Sequence, residues 1–514
     1  MAETKERDLQ LIFNPRFHLL LILLVQVFIY KDLFSQFFLS DDFLLLIREP
    51  GWFSPGQGFF RPVPLMAISS MYNLVGMNPV PFHLISFLLH LGNAFLLYQI
   101  IRKLTGDNLF ALAGGLLLAA NFLNSEAVFW ISSQTTLFVC FFILLSISLF
   151  LNFLESGKKI FYLLSLASFI LALLSKENGI LLALLLPLIT FLWFYQQNEK
   201  PDLKKVLKLT WPFLLLALVY LLLVSGLLQS SLFSGSERGE LSPGYHIIRN
   251  ARHLFLSLVF SHPVNDLFFI HADQFVFGMF PPASRLPLTP EPSFSMIILT
   301  IAGILALIFV LFLLLKVGNK IRLSLISIFI AMGPFLLMKF HLPGGIPYPY
   351  PNRLYYLPSV FFIIFLIILA RWIIGTFRKG SKAGKAALPV ISIILISLVL
   401  FNGLQTINRS ADWDKAGIIT KNILDRTRLI LSGSPGKKKL VYVNLPDNYR
   451  EAFIFRNGIS AAVRLYLNNQ TLEVRHFPLS SAKKIIHEHN PKDTVILYYD
   501  DQKETLFQVR PQTL

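Results

Sequence analysis

The chain has 514 residues, with 46 Lys and Arg against 29 Asp and Glu, a net charge of +17 and one cysteine. Apolar residues make up 54% and charged residues only 15%, where a soluble domain carries about 25% charge. That balance excludes a disordered chain, which buries little apolar surface, and the lone Cys140 excludes an intrachain disulfide framework or a Cys-rich metal site.

In chain order, apolar runs of the kind that cross a bilayer occupy 17–38, 82–101, 109–123, 137–154, 160–175, 178–195, 211–228, 296–315, 323–340, 355–374 and 387–401. They predict about eleven membrane helices. The first run lacks a small-residue cleavage site before Asp41 and reads as an uncleaved anchor. With a cytoplasmic N-terminus, the short inward loops hold Arg102 and Lys103, Lys158 and Lys159, Lys200 through Lys208, Lys316 through Arg322, and Arg371 through Lys385. The longer outward segments carry fewer, as the positive-inside rule requires. The basic charge therefore orients the chain and gives no reason to expect nucleic acid. An odd number of spans puts the C-terminus outside. The expected location is the bacterial inner membrane, with a periplasmic C-terminus.

Three outward segments are substantial. The first, 39–81, carries Asp41 and Asp42. The second, 229–295, contains an amphipathic stripe at 247–259 that predicts a helix lying in the interface. The third, 339–354, holds prolines that exclude a regular helix. Beyond residue 405 charge rises and long apolar runs stop. Residues 439–444 and 494–499 read as strands, and 452–467 and 481–489 as helices. The expected fold class is an all-α polytopic membrane domain over 1–405, with a small α/β extracytoplasmic domain over 406–514.

Chemistry gathers at the ends of spans. Asp41 and Asp42 are flanked by Phe37, Phe38, Phe43 and Leu44. Desolvation and mutual repulsion raise such carboxyls, which suits a general base toward an acceptor hydroxyl, or the pair suits a divalent cation. Ser40 or Asp41 also reads as the N-cap of a helix that begins Asp42-Phe43-Leu44. Lys176, in Ser175-Lys176-Glu177-Asn178, suits a lipid phosphate as a point charge, or pairs with Glu177 at a helix break. Glu126 orients a catalytic group or accepts sugar hydroxyls, or else packs at the interface beside Trp130. Arg353 and Arg61 match phosphate oxygens bidentately, or snorkel. His83, His90 and Asn93 share a face of the second run and predict hydrogen bonds between helices. No Gly-rich phosphate loop, His-Glu-x-x-His or G-x-S-x-G occurs, so no nucleotide cofactor is expected.

The ordered set Asp41-Asp42, Phe60-Arg61-Pro62, Phe82-His83-Leu84 through His90 and Asn93, Glu126 through Ser132, Leu173 through Glu177, and Asn352 through Ser359 resembles the GT-C superfamily of polytopic glycosyltransferases. Within it, the set is most similar to the protein O-mannosyltransferases, including their transmembrane-and-TPR relatives. Gln134 and Thr136 stand where those relatives have an Arg and an Asp, and no TPR repeat appears in the tail. The resemblance implies an active site at the outer leaflet and a sugar donor carried on polyprenyl phosphate. It implies an acceptor hydroxyl on a glycan, lipid or protein, and inversion with Asp41 as general base and Asp42 beside it. Lys176, Arg353 and Arg61 would meet the donor phosphate; Glu126, Glu177, Tyr355 and His83 would orient substrate. A divalent metal at Asp41 and Asp42 is left open. A transporter or flippase for a lipid-linked glycan is the alternative, although no internal repeat is apparent.

Overall fold

The computed structural model describes residues 14–47, 60–227, Ser257 and Leu258, 317–336, 352–377, 382–434, 438–456, 458–481 and 493–509. The run 296–315, all but two residues of the stripe at 247–259, most of 339–354, and the tail helix expected beyond residue 481 lie outside the described residues. Among the described residues, seven helices are long and apolar enough to cross a membrane, or eight if one bent pair is a single span. The chain is a multi-pass membrane protein, with fewer described spans than the sequence predicts.

Helix α1 (Pro15–Ile29) opens where the Asn14 side chain accepts from the Arg16 N–H. It closes at Ile29, because Lys31 and Asp32 interrupt the apolar run and a 3-10 turn, Lys31–Ser35, follows. The span predicted at 17–38 is thus a 15-residue helix followed by irregular chain leading to α2 (Asp41–Ile47). Helix α3 (Pro62–Val75) precedes α4 (Pro79–Thr105), whose last turn holds Arg102 and Lys103 against the carbonyl end and closes on left-handed Gly106.

The predicted span at 109–123 is broken. Helix α5 (Asn108–Ala120) stops where the Asn121 side chain takes the Leu123 N–H at 3.0 Å, and the chain turns by 45° into α6 (Ser125–Phe129). The break buries Glu126 and Trp130 inside the protein. Helices α7 (Gln134–Ser156) and α8 (Lys159–Leu173) form a hairpin, with the Ser146 and Ser165 hydroxyls bonded across it at 2.9 Å. Helices α9 (Leu182–Gln196), α10 (Leu203–Leu222), α11 (Asn319–Leu336) and α12 (Tyr356–Phe377) complete the bundle.

Helix α13 (Lys382–Ser432) is 51 residues long. Only 11% of its apolar membrane window is buried, so that part is largely uncovered by the rest of the protein. Farther on, Thr406, Arg409, Ser410, Trp413 and Ala416 are buried. The domain boundary expected at residue 405 therefore falls inside a continuous helix.

The tail forms strands β1 (Lys439–Val443), β2 (Asn448–Tyr449) and β3 (Ala452–Phe453), helix α14 (Ile459–Tyr466), and strands β4 (Glu473–Phe477), β5 (Thr494–Asp500) and β6 (Thr505–Val509). The four-stranded sheet has the order β4-β1-β5-β6. Strand β1 runs parallel to β4 and β5, with Leu440 opposite Val474 and Val495, and β6 is antiparallel to β5. The two expected strands are present. The helix expected at 452–467 is half its length, because β3 pairs with β2 and α14 begins only after Gly458. Leu440, Leu497, Ala462 and Val463 join one continuous core with the membrane helices. Thr427 of α13 and Tyr442 of β1 share a hydroxyl–hydroxyl bond at 2.7 Å.

Candidate active site

Asp41 and Asp42 sit at the start of α2, where the structure treats them differently. Asp42 is 2% exposed. Its Oδ1 accepts from the Ser132 N–H at 2.7 Å and the Ser132 hydroxyl at 2.6 Å, and its Oδ2 accepts from the Leu39 N–H at 2.9 Å. Burial pushes the Asp42 carboxyl up to about 7, overriding the lowering effect of these hydrogen bonds; the neighbouring Asp41 adds a smaller push. The bond back to Leu39 ties the first turn of α2 to the chain before it. Asp41 is only half-buried, and its Oδ1 accepts from the Ser40 hydroxyl at 3.4 Å.

Among the described residues no three His, Cys, Asp or Glu side chains come together. Asp42 faces N–H and O–H donors with both oxygens. That lining does not fit a divalent cation shared with Asp41, which asks for several oxygen ligands.

The stretch from Glu126 to Thr136 joins the candidates. Glu126, 4% exposed, accepts from the Arg353 main-chain N–H at 3.0 Å and ion-pairs with the Arg353 guanidinium. That guanidinium lies 5.0 Å over the Trp130 ring. Trp130 Nε1 donates to the Leu39 carbonyl at 3.4 Å. Ser132 holds Asp42. Gln134 Nε2 donates to the Phe82 carbonyl at 2.7 Å and the Ser86 hydroxyl at 2.9 Å, tying the stretch to α4. Thr136 Oγ1 accepts from Lys176 Nζ at 2.7 Å. The partner of Asp42 and the partner of Lys176 are thus about one helical turn apart.

Lys176 is 5% exposed at the break between α8 and the 3-10 turn Glu177–Leu181. The chain folds back tightly there: a Cβ at Gly179 would lie 2.5 Å from the Ala172 carbonyl oxygen. Glu177 turns to Arg61, which forks onto it with Nε to Oε2 at 3.0 Å and Nη2 to Oε1 at 2.6 Å. The Val63 N–H, in the first turn of α3, donates to the Leu174 carbonyl at 3.2 Å and docks α3 on the same break.

Tyr355 is fully buried, with its hydroxyl donating to Ser257 Oγ at 3.2 Å. His83 is 1% exposed beside the Gln36 main chain. Of the predicted seam of α4, His90 and Asn93 bond between helices: His90 Nδ1 lies 2.6 Å from the Tyr356 hydroxyl, which also accepts from Asn93 Nδ2 at 3.0 Å.

Sequence reasoning missed Arg409 and Glu451, quoted Ser132 within the family stretch without giving it a role, and recorded Thr136 only as a departure. Glu451 of the tail accepts from Arg409 Nη2 and Asn352 Nδ2, each at 3.3 Å. No motif marks Arg409 or Glu451, and only the fold brings them together.

The sequence model of the dolichyl-phosphate-mannose-protein mannosyltransferase family matches residues 59–228, from just before Arg61 to just past α10. The protein O-mannosyl-transferase Tmtc1 of Drosophila melanogaster is 27% identical over 145 residues, or 27% of this chain. The match spans only 17% of that relative's length. Among solved structures, ArnT from Cupriavidus metallidurans bound to undecaprenyl phosphate is similar with a TM-score of 0.44 and 12% identity, covering 94% of this chain and 93% of that one. The archaeal oligosaccharyltransferase AglB from Archaeoglobus fulgidus, in complex with an inhibitory peptide and a dolichol-phosphate, has a TM-score of 0.42 and 11% identity over 94% of this chain and 69% of that one. The resemblance to the GT-C glycosyltransferases is borne out by the family match and the Tmtc1 relative.

Proposed function

We propose that this protein is an integral-membrane glycosyltransferase that moves a sugar from a polyprenyl-phosphate carrier to an acceptor hydroxyl at the outer face of the membrane. The observation that carries this reading is the Glu126–Thr136 stretch, which holds a carboxylate wall through Ser132 and a buried ammonium through Thr136. The matching family is described by a donor of this class, dolichyl-phosphate mannose. The N-terminus lies in the cytoplasm, the tail domain lies outside, and the membrane is the bacterial inner one.

In this reading Asp41 is the general base. It takes the acceptor's hydroxyl proton as that oxygen attacks C1 of the sugar. The bond from C1 to the phosphate oxygen breaks with its electron pair, polyprenyl phosphate leaves, and C1 inverts. Asp42, buried and bonded on both oxygens, holds the loop that presents Asp41. Lys176 meets the leaving phosphate, where its contact strengthens as charge grows. Arg353 and Arg61 contribute further phosphate contacts. A guanidinium carries five N–H donors, so pairing with Glu126 or Glu177 orients it without exhausting it. Glu126 and Glu177 act by aiming those arginines, and buried Tyr355 and His83 support the walls.

The test is purified protein in nanodiscs with a panel of polyprenyl-phosphate sugars and hydroxyl acceptors. Acceptor-dependent release of polyprenyl phosphate is expected, and Asp41→Asn removes it. Movement of a lipid-linked glycan across vesicles without any release would replace this reading with the transporter.

A further inference from the structure

We infer that the tail domain is a clamp on the carboxylate loop, and that Gly458 is a positioning residue that sets the place of Asp41; this rests on the reading of Asp41 as the base. The loop from Ser35 to Asp41 has little regular structure of its own after the 3-10 turn. It is held instead by residues from the far end of the chain. The Ser35 hydroxyl donates to Asp414 Oδ1 at 3.1 Å, and Gln36 Nε2 reaches the Ser410 carbonyl at 3.5 Å, both on α13. The Phe37 ring meets Tyr466 edge-on at 6.3 Å. Trp130, which bonds the Leu39 carbonyl, packs on Phe453 with ring centres 4.8 Å apart.

The decisive contact is at Ser40. Its N–H donates to the Ile454 carbonyl at 2.8 Å, and its φ is +46°. A serine keeps that conformation only where its surroundings impose it. Gly458 supplies the imposition. A Cβ there would lie 2.1 Å from the Ser40 carbonyl oxygen and 2.7 Å from its carbon. Those atoms belong to the Ser40–Asp41 peptide itself. Gly458 has an ordinary φ of −89°, so glycine is needed for this close approach and not for backbone freedom. What it meets is main chain, which cannot swing aside as a side-chain tip can. Gly417 of α13 makes the same kind of contact, with its Cβ position 2.9 Å from the Phe37 nitrogen. Any side chain at 458 must therefore move the peptide that carries Asp41.

The lysine side of the site is bonded within the membrane bundle, Lys176 to Thr136 and Arg61 to Glu177. Loosening the clamp is thus a defect in turnover with donor binding preserved.

The experiment uses the full chain in nanodiscs with Gly458→Ala, beside Gly433→Ala as control. A Cβ at 433 meets only the Ile430 carbonyl oxygen, at 3.6 Å. For Gly458→Ala, kcat falls about 10–100-fold while the donor KM stays within about threefold, as a small misplacement of one reacting group predicts. Gly433→Ala keeps parent kinetics. A second readout does not need activity. In a Ser40→Cys background the native Cys140 is buried, so thiol labelling reports position 40. Cys at 40 is protected in the parent and becomes labelled in the Gly458→Ala protein. If Gly458→Ala does not fold, Gly417→Ala is read in the same two ways. A folded Gly458→Ala protein with position 40 still protected overturns the clamp, whatever its turnover. Increased labelling with parent kcat overturns the positioning of Asp41. A parent protein without transferase activity defeats the proposed function, and the labelling arm then decides the clamp alone.

Discussion

The two walls of the site share an anchor and are built in opposite ways. The lysine wall is made from helix ends close together in the bundle: Arg61 at the start of α3, Thr136 in the first turn of α7, and Lys176 and Glu177 after α8. The carboxylate wall joins the loop after α1 to α13 and to the tail, regions at opposite ends of the chain. One wall is therefore fixed as soon as the bundle packs, while the other depends on the tail. If donor binds at the first and acceptor is deprotonated at the second, binding and chemistry are separable by mutation.

Asp41→Asn gives the largest effect. Turnover drops about 10²–10⁴-fold, the cost of removing a general base, and donor affinity is retained. Loss of donor affinity in this variant would mean that the walls are not separate. Lys176→Ala comes next. Donor affinity weakens by about 1.5–3 kcal/mol, the range for a charge-assisted bond, and single-turnover rate falls with it. Unchanged donor binding in a folded protein would return Lys176 to a structural role.

Asp42→Asn tests whether the carboxylate wall is a matter of folding. Both Asp42 oxygens accept from N–H or O–H donors. An amide offers one oxygen and turns an NH2 toward a donor, so stability falls by about 1–3 kcal/mol in thermal unfolding. The same carboxyl has a pH signature. Its folded value of about 7 exceeds its ordinary 3.8, so the folded state binds the proton more tightly. Its contribution to stability is full below about pH 4 and is lost as pH rises to about 7. The difference in melting temperature between parent and Asp42→Asn should narrow over that window; a gap that widens would reverse the assignment. Thr136→Val has the smallest effect. It removes the Lys176 acceptor and weakens donor binding by about 0.5–1.5 kcal/mol, with Asp41 chemistry intact in single turnover.

Much of this was legible in the sequence. The apolar runs announced the bundle because lipid selects for uninterrupted hydropathy whatever the topology. Arg61, Glu177, Glu126 and Arg353 could be picked out because charges at the ends of spans are rare and costly. Their pairing could not, since Arg61 and Glu177 are 116 residues apart and Arg353 and Glu126 are 227 apart. Asn121 reads as one polar residue in an apolar run, yet its side chain stops α5 and redirects Glu126 inward. The helix misjudged at 452–467 shows the reverse error. Its apolar spacing suits a helix, but Ile454 gives its carbonyl to Ser40 and Gly458 is held by contact rather than by propensity. Ser132 was visible as the end of the Glu126–Ser132 stretch, but its bond to Asp42, 90 residues away, was not.

The bond from Ser40 to Ile454 also has a meaning in time. Synthesis runs from the N-terminus at about 5–20 residues per second, so roughly 20–80 s separate the two halves of that contact. In that interval helices α2 to α13 are made, yet the loop lacks the partner that shapes it. The nascent chain makes these helices before the loop that carries Asp41 gains the contact that shapes it. Chains cut short before Ile454 therefore lack the contact that shapes this loop.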